Sequence, residues 1–196
     1  TTVKERYIGR AQQRHPQQML RVDYEVRTPV SGALEERFQK TIDHQIRKAD
    51  LVLISDYDKG MCTPALLASA IREARARGLK SLVDPIRGGD YRKYRHCSAM
   101  TPNRLEAGLA TGRTLNNNEE ALLASAQLQH QFDLDAAIVT LDKDGMALAH
   151  RDGRRHVFPT RPRHVYDITG AGDMVLSVLG MALAAGADYD PAIRLA

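Results

Sequence analysis

The chain is expected to fold as an α/β protein, a mainly parallel sheet with helices on both faces, and three observations lead there. The hydrophobic period switches repeatedly between two and about 3.6 along the 196 residues. The apolar runs Leu51 to Ile54 and Ala136 to Thr140 are continuous, as in strands covered on both faces. Strand and helix signals alternate, which implies right-handed crossovers between parallel neighbours.

Taken in order, Leu20, Val22, Tyr24 and Val26 alternate with Arg21, Asp23, Glu25 and Arg27, the pattern of a strand with one wet face. Lys4 and Arg6 are likewise placed on a strand. Leu34, Phe38, Ile42 and Ile46 recur four apart, so an amphipathic helix packs that stripe inward. After the strand at Leu51, Thr63-Pro64 caps a helix carrying Leu66, Leu67, Ala70, Ile71 and Ala74, and Gly78 ends it. Lys80 to Val83 is the next strand and Glu119 to Phe132 the next long helix. The strand Ala136 to Thr140 is followed by a hairpin of Gly145 to His150 and Arg155 to Phe158. Asn116 to Asn118 is a loop ending at a helix cap, and there is no internal repeat.

Composition narrows the class of protein. The chain is 43% hydrophobic and 27% charged, enough for one sizeable core. It has no apolar run long enough to cross a bilayer and no signal peptide, and Cys62 and Cys97 are far apart in sequence, so a reducing, cytoplasmic setting without a membrane is expected. The net charge is +4, with basic clusters at Arg87 to His96 and Arg151 to His164. Aromatic residues are only 5%, without tryptophan or aromatic-basic interleaving, so no nucleic-acid partner is expected. Walker A and His-Glu-x-x-His patterns are absent, and the cysteines lack metal-ligand spacing.

The most informative segment is Asp167-Ile168-Thr169-Gly170-Ala171-Gly172-Asp173, which runs straight into the apolar stretch Met174 to Leu183. That is a glycine-rich turn opening a helix. Its free N–H groups and the helix dipole suit a phosphate or a developing phosphoryl charge. Asp173 in the first turn can take a proton from a hydroxyl nucleophile; the plain alternative is helix capping. In open parallel sheets ligands bind beyond the carboxyl ends of the strands, and Asp56, Asp84, Asn103 and Thr140 all follow strand ends. Asn103 and Glu106, three apart at a helix start, share one face. Glu106 could hold a water on Mg²⁺ and Asn103 could touch phosphate oxygens, unless both simply complement the helix start. Lys59 in Ser55-Asp56-Tyr57-Asp58-Lys59-Gly60 could set an ammonium near a phosphate or be a solvated loop lysine.

The fingerprint at residues 167–173 resembles the C-terminal signature of the PfkB, or ribokinase-like, carbohydrate kinases. Thr2-Val3-Lys4 with Arg6, Gln18 to Glu25, Ser55 to Gly60, Val83-Asp84-Pro85, Thr101 to Glu106, and Val139-Thr140 with Gly145-Met146 follow in the order expected of that family. Together they are similar to its branch that phosphorylates D-glycero-β-D-manno-heptose 7-phosphate at the anomeric oxygen. The resemblance implies a three-layer αβα fold and phosphoryl transfer from Mg-ATP to a sugar hydroxyl, here giving heptose 1,7-bisphosphate in ADP-heptose (lipopolysaccharide core) biosynthesis. It implies Asp173 as base, Gly170, Ala171 and Gly172 as anion hole, Glu106 at Mg²⁺, and Asn103, Thr140, Gly145 and Asp167 on the nucleotide side. Asp56 and Lys59 fall on the substrate side.

Two positions depart from the pattern: Ile86 follows Asp84-Pro85 where these heptose kinases carry Lys, and Met174 replaces a small polar residue after the base. The absence of an initiator Met and the unfinished helix signal at Pro191 to Ala196 lead to the expectation that residues 1–196 are a partial kinase domain. The N-terminal sugar-binding part and the C-terminal end would then lie outside, and the piece alone would be a poor catalyst or none. A homodimer and a fused nucleotidyltransferase domain are further expectations from the resemblance. The alternatives are a PfkB-type kinase of ribose, fructose or another sugar phosphate, a non-catalytic nucleotide- or sugar-binding protein, and a nucleic-acid-binding module.

Overall fold

In the computed structural model, which describes residues 3–10, 17–160 and 170–196, the chain opens with strands β1 (Val3–Gly9) and β2 (Gln17–Tyr24). Helix α1 (Gly32–Ile46), strand β3 (Leu51–Ser55), helix α2 (Pro64–Ala76) and strand β4 (Lys80–Asp84) follow. Then come strand β5 (Ala99–Met100), helices α3 (Arg104–Thr111) and α4 (Asn118–Gln131), and strands β6 (Ala136–Thr140), β7 (Met146–His150) and β8 (Arg155–Phe158). Helices α5 (Ala171–Ala184) and α6 (Tyr189–Leu195) close the chain.

Strands β3 to β8 form one sheet in sequential order. The first four are mutually parallel, joined by crossovers that carry α2, a 3₁₀ turn at Tyr91–Tyr94, and α3 with α4. The β6–β7–β8 meander is antiparallel, in register from Ala136↔His150 to Thr140↔Met146. Side chains alternate between two cores, as the period of two requires. Ile54, Val83, Met100, Ala137 and Val139 pack with Leu67 and Ile71 of α2 and Ala121, Ala124 and Leu128 of α4. Leu82, Ala99, Ala136, Ile138 and Leu148 pack instead with Leu176, Leu179 and Leu183 of α5 and Tyr189 and Ile193 of α6. This is the expected three-layer αβα arrangement. The continuous apolar run of β6 is buried on both faces from Ala136 to Val139. The run at Leu51 to Ile54 corrects the expectation: β3 lies at the edge of the six-stranded sheet, with Leu51 and Val52 half-buried and Leu53 42% exposed.

Local chemistry sets the helix ends. The Thr63 hydroxyl accepts from the Leu66 N–H at 3.2 Å and donates to Glu35 at 2.6 Å, so one side chain caps α2 and ties it to α1. Gly112 ends α3 in the left-handed region at φ 66°. The α1 stripe is buried in a gradient rather than throughout: Leu34 is exposed, Phe38 and Ile42 are half-buried, and Ile46 is buried.

The β1–β2 pair corrects one expectation. It forms a separate two-stranded antiparallel sheet in which Leu20 and Tyr24 are each 55% exposed and Val22 is only half-buried. Val26 lies beyond the strand and is exposed. The alternation is real, but among the described residues no layer covers the apolar face.

Candidate active site at the carboxyl edge of the parallel strands

Parallel pairing of β3, β4, β5 and β6 sends all four chain exits to one edge. Asp56 and Asp84 therefore stand at neighbouring strand ends, Thr140 lies on the same edge beyond β5, and Asn103 joins through an isolated parallel bridge to Thr140. The N-terminus of α5 reaches the same edge because α5 packs on β3 and β4. Gly180 allows the close approach: a Cβ there would sit 2.9 Å from Leu53 Cδ2 and 3.2 Å from Leu51 Cδ2.

Gly170 is the N-cap of α5 at φ 81°, ψ 6°, a left-handed conformation that glycine takes without strain. No side chain caps this end. The N–H groups of Ala171, Gly172 and Asp173 belong to the first turn, where no intrahelical acceptor exists, and all three residues are exposed. A Cβ on Gly172 would lie 4.0 Å from Asp84 Oδ2, so the turn faces the end of β4. Asp167 lies outside the described residues.

Three carboxyl groups gather here. Burial, followed by the charges of Glu106 and Asp173, drives the Asp84 carboxyl up to about 7. Sequence reading placed Asp84 at a strand end without a role; its neighbours come from β4, α3 and α5, which no local pattern joins. Asn103 and Glu106 form a reciprocal capping box: the Glu106 N–H donates to Asn103 Oδ1 and the Asn103 N–H to Glu106 Oε2, each at 2.9 Å. The helix-start role is thus filled, while Glu106 Oε1 and the Asn103 amide N–H₂ stay outside that pair of bonds.

The loop after β3 is pinned from several sides. Asp56 is 8% exposed, and its Oδ2 accepts from Lys93 Nζ at 2.6 Å and the Tyr94 hydroxyl at 2.7 Å. Its Oδ1 accepts the Asp58 N–H at 2.9 Å, so both oxygens have partners within the protein. Lys59 is no free loop ammonium; it pairs with Glu25, whose side chain is 5% exposed. Val30 N–H donates to the Gly60 carbonyl at 2.9 Å. Between these anchors stands Tyr57, which sequence reading passed over. Its hydroxyl donates to Asp173 Oδ1 at 2.7 Å and Oδ2 at 2.9 Å. Cys62 nearby is a poor nucleophile, since burial pushes its thiol up to about 11.

At the other end of the edge, Thr140 closes β6 and its N–H donates to the Pro102 carbonyl at 3.0 Å. Gly145 has φ 104° and ψ −133°, and a Cβ would come 1.9 Å from the Phe158 carbonyl oxygen, so the turn demands glycine. Arg104 braces the turn, donating to the Leu115 carbonyl at 2.7 Å and to Asp144 at 2.8 Å. An open cleft lined by Asn117, Lys143, Asp144, Pro159 and Thr160 lies beside it.

A three-layer αβα body with a glycine turn and an aspartate at one strand edge defines a class, and comparison agrees: the profile of the pfkB family carbohydrate kinases matches residues 3–196, and the chain belongs to that family. Among curated relatives, the bifunctional protein HldE of Geobacter metallireducens is 42% identical over 180 residues, covering 92% of this chain and 36% of that protein. HldE of Paramagnetospirillum magneticum is 37% identical over 196 residues, 100% of this chain and 39% of the relative. The chain thus spans little more than a third of their length. In fold it is similar to Arabidopsis thaliana ribokinase complexed with ribose and ATP, at a TM-score of 0.68, 18% identity, and 89% and 56% coverage of the two chains. Phosphofructokinase-2 from Escherichia coli in complex with substrates and products also superposes, with a TM-score of 0.68, 18% identity, and 89% and 57% coverage.

Proposed function

We propose that this chain carries the phosphoryl-transfer site of an ATP-dependent sugar kinase whose acceptor is heptose 7-phosphate and whose product is heptose 1,7-bisphosphate. The observation that carries the reading is the placement of Asp173 and the free N–H groups of α5 at the carboxyl edge of the parallel strands, facing Asp84. The heptose assignment rests on the Ser55 to Gly60 and Arg21 to Glu25 segments, and the likeness to HldE proteins supports it.

Phosphoryl transfer asks the protein mainly for positioning and charge stabilisation. Asp173 orients the acceptor hydroxyl and takes its proton as the oxygen attacks in line. The backbone at Gly170, Ala171 and Gly172 receives the transferring phosphoryl oxygens, where fixed N–H dipoles oppose the charge that develops. Asn103, Thr140 and Gly145 border the nucleotide side, where the Asn103 amide can donate to phosphate oxygens. Lys59 and Asp56 serve the substrate side by anchoring the loop between them.

The residues present fit Mg²⁺. Crowded carboxylates are relieved by a cation, and hard oxygen donors suit it. Among the described residues no group of three His, Cys, Asp or Glu side chains is placed to hold a metal ion, so an ion here would need waters and phosphates to complete its shell. Glu106 would hold it through water. When bound, Mg²⁺ neutralises phosphate charge.

The test is ADP release by the full-length protein with Mg-ATP and heptose 7-phosphate, ribose, fructose or fructose 6-phosphate. Turnover confined to heptose 7-phosphate is expected. Asp173→Asn should cut turnover by about 10² or more with ATP binding nearly unchanged. Near-normal turnover would remove Asp173 from the base role. ATP binding without ADP release on any sugar would favour a binding protein.

A further inference from the structure

Tyr57 is 59% exposed, yet its hydroxyl spans both oxygens of a carboxylate 116 residues away in sequence. Water could satisfy an exposed phenol, so burial does not impose this contact. The geometry is set by the loop instead. Asp56 is clamped by Lys93 and Tyr94, Lys59 by Glu25, and Gly60 by Val30, which leaves Tyr57 on a short, anchored span. The Asp173 bond is also the largest cause that lifts the Tyr57 phenol above its ordinary range. It therefore stays protonated and acts as donor.

We infer that Tyr57 is a positioning residue for the phosphoryl transfer, holding the Asp173 carboxylate in place and aiming it at the acceptor hydroxyl. The bond reaches both carboxylate oxygens, so it fixes the plane of the group. A carboxylate has about four lone-pair sites. The phenol lies between the two oxygens, so the outer lone pairs remain for the sugar. This role rests on the kinase reading; the hydrogen bond itself does not.

Two measurements on the full-length protein separate the two. The first follows the Tyr57 ring carbon bearing oxygen by NMR as pH rises, without substrate. In the native protein Tyr57 should titrate above an ordinary tyrosine, and in Asp173→Asn it should return toward about 10. An identical titration in both would overturn the proposal whether or not the protein is a kinase. The second is Tyr57→Phe, which removes one oxygen at an exposed position. Its kcat should fall about tenfold while the sugar KM stays within about twofold. A raised sugar KM with an unchanged kcat would make Tyr57 a sugar contact and overturn the proposal. Absence of ADP release by the native protein would remove the kinase reading, with the titration still deciding the bond.

Discussion

Asp84 shows how one side chain registers its surroundings. It ends β4 in the half-buried class, and burial together with Glu106 and Asp173 raises its carboxyl to about 7. Unfolded, the same group titrates near 3.9. Between those values the folded state keeps a proton that the unfolded chain has released. Asp84 therefore favours folding most fully below about pH 3.9, and that advantage is lost as pH rises through about 7. Asp84→Asn, which stays neutral, should raise the melting temperature at pH 8 by about 2–4 °C per kcal/mol of relieved strain, and change it little at pH 4. Paired thermal melts at the two pH values check this; an equal gain at both would show that charge is not the cause. Asp56 and Lys59 teach the opposite lesson at this scale. Their loop looked like a row of ligand-binding groups, but each is engaged by a partner within the protein, at Lys93 and Tyr94 and at Glu25.

Among elements, α5 and the β6–β7 turn decide where the site stands. The missing side chain of Gly180 lets α5 sit close on β3 and carry Asp173 to the sheet edge. Gly145 does the same for the hairpin: its conformation belongs to glycine, and the Phe158 carbonyl oxygen fills the space of a Cβ. Gly145→Ala should cost about 3 kcal/mol or more, because backbone strain and a steric clash with main chain add together. Urea unfolding of the full-length protein measures it, and a loss under about 1 kcal/mol would mean that the turn can rearrange. Much of this scale was legible beforehand. The period of two, the four-residue spacing and the Thr63-Pro64 and Gly78 signals located helices and strands, since they report local sterics and one-sided burial. Strand β5 left a weaker mark: only Ala99 and Met100 pair, too few to show a period.

For the whole molecule, several cations of the two basic clusters are paired within the described residues. Arg92 pairs with Asp90, Lys93 with Asp56, Arg151 with Asp133, and Arg154 with Asp152 and Asp188. No helix among the described residues is long and apolar enough to cross a membrane. The β1–β2 sheet is separate from the six-stranded sheet, and Glu25, just past β2, pairs with Lys59 of the β3 loop. Lys59→Met leaves the buried Glu25 carboxylate without its cation, a change that costs about 3–5 kcal/mol when the pair is fully buried and less here, where Lys59 is part-exposed. Hydrogen exchange should quicken in residues 17–24 and stay unchanged in β4 and β6. Equal protection in both proteins would show that the pair does not hold the sheet.

By itself the amino-acid sequence determined the αβα layering, the strand-edge placement of Asp56, Asp84, Asn103 and Thr140, and the glycine turn at Asp173, because periodicity and turn chemistry act over a few residues. Only the tertiary structure decided which of those groups meet. The Tyr57 bond to Asp173, the crowding that raises Asp84, the ion pairs that occupy Asp56 and Lys59, and the exposure of β1–β2 all depend on segments brought together by packing. Such contacts are set by how closely α5 and the loops approach the sheet, a property of the packed layers that no single stretch of sequence contains.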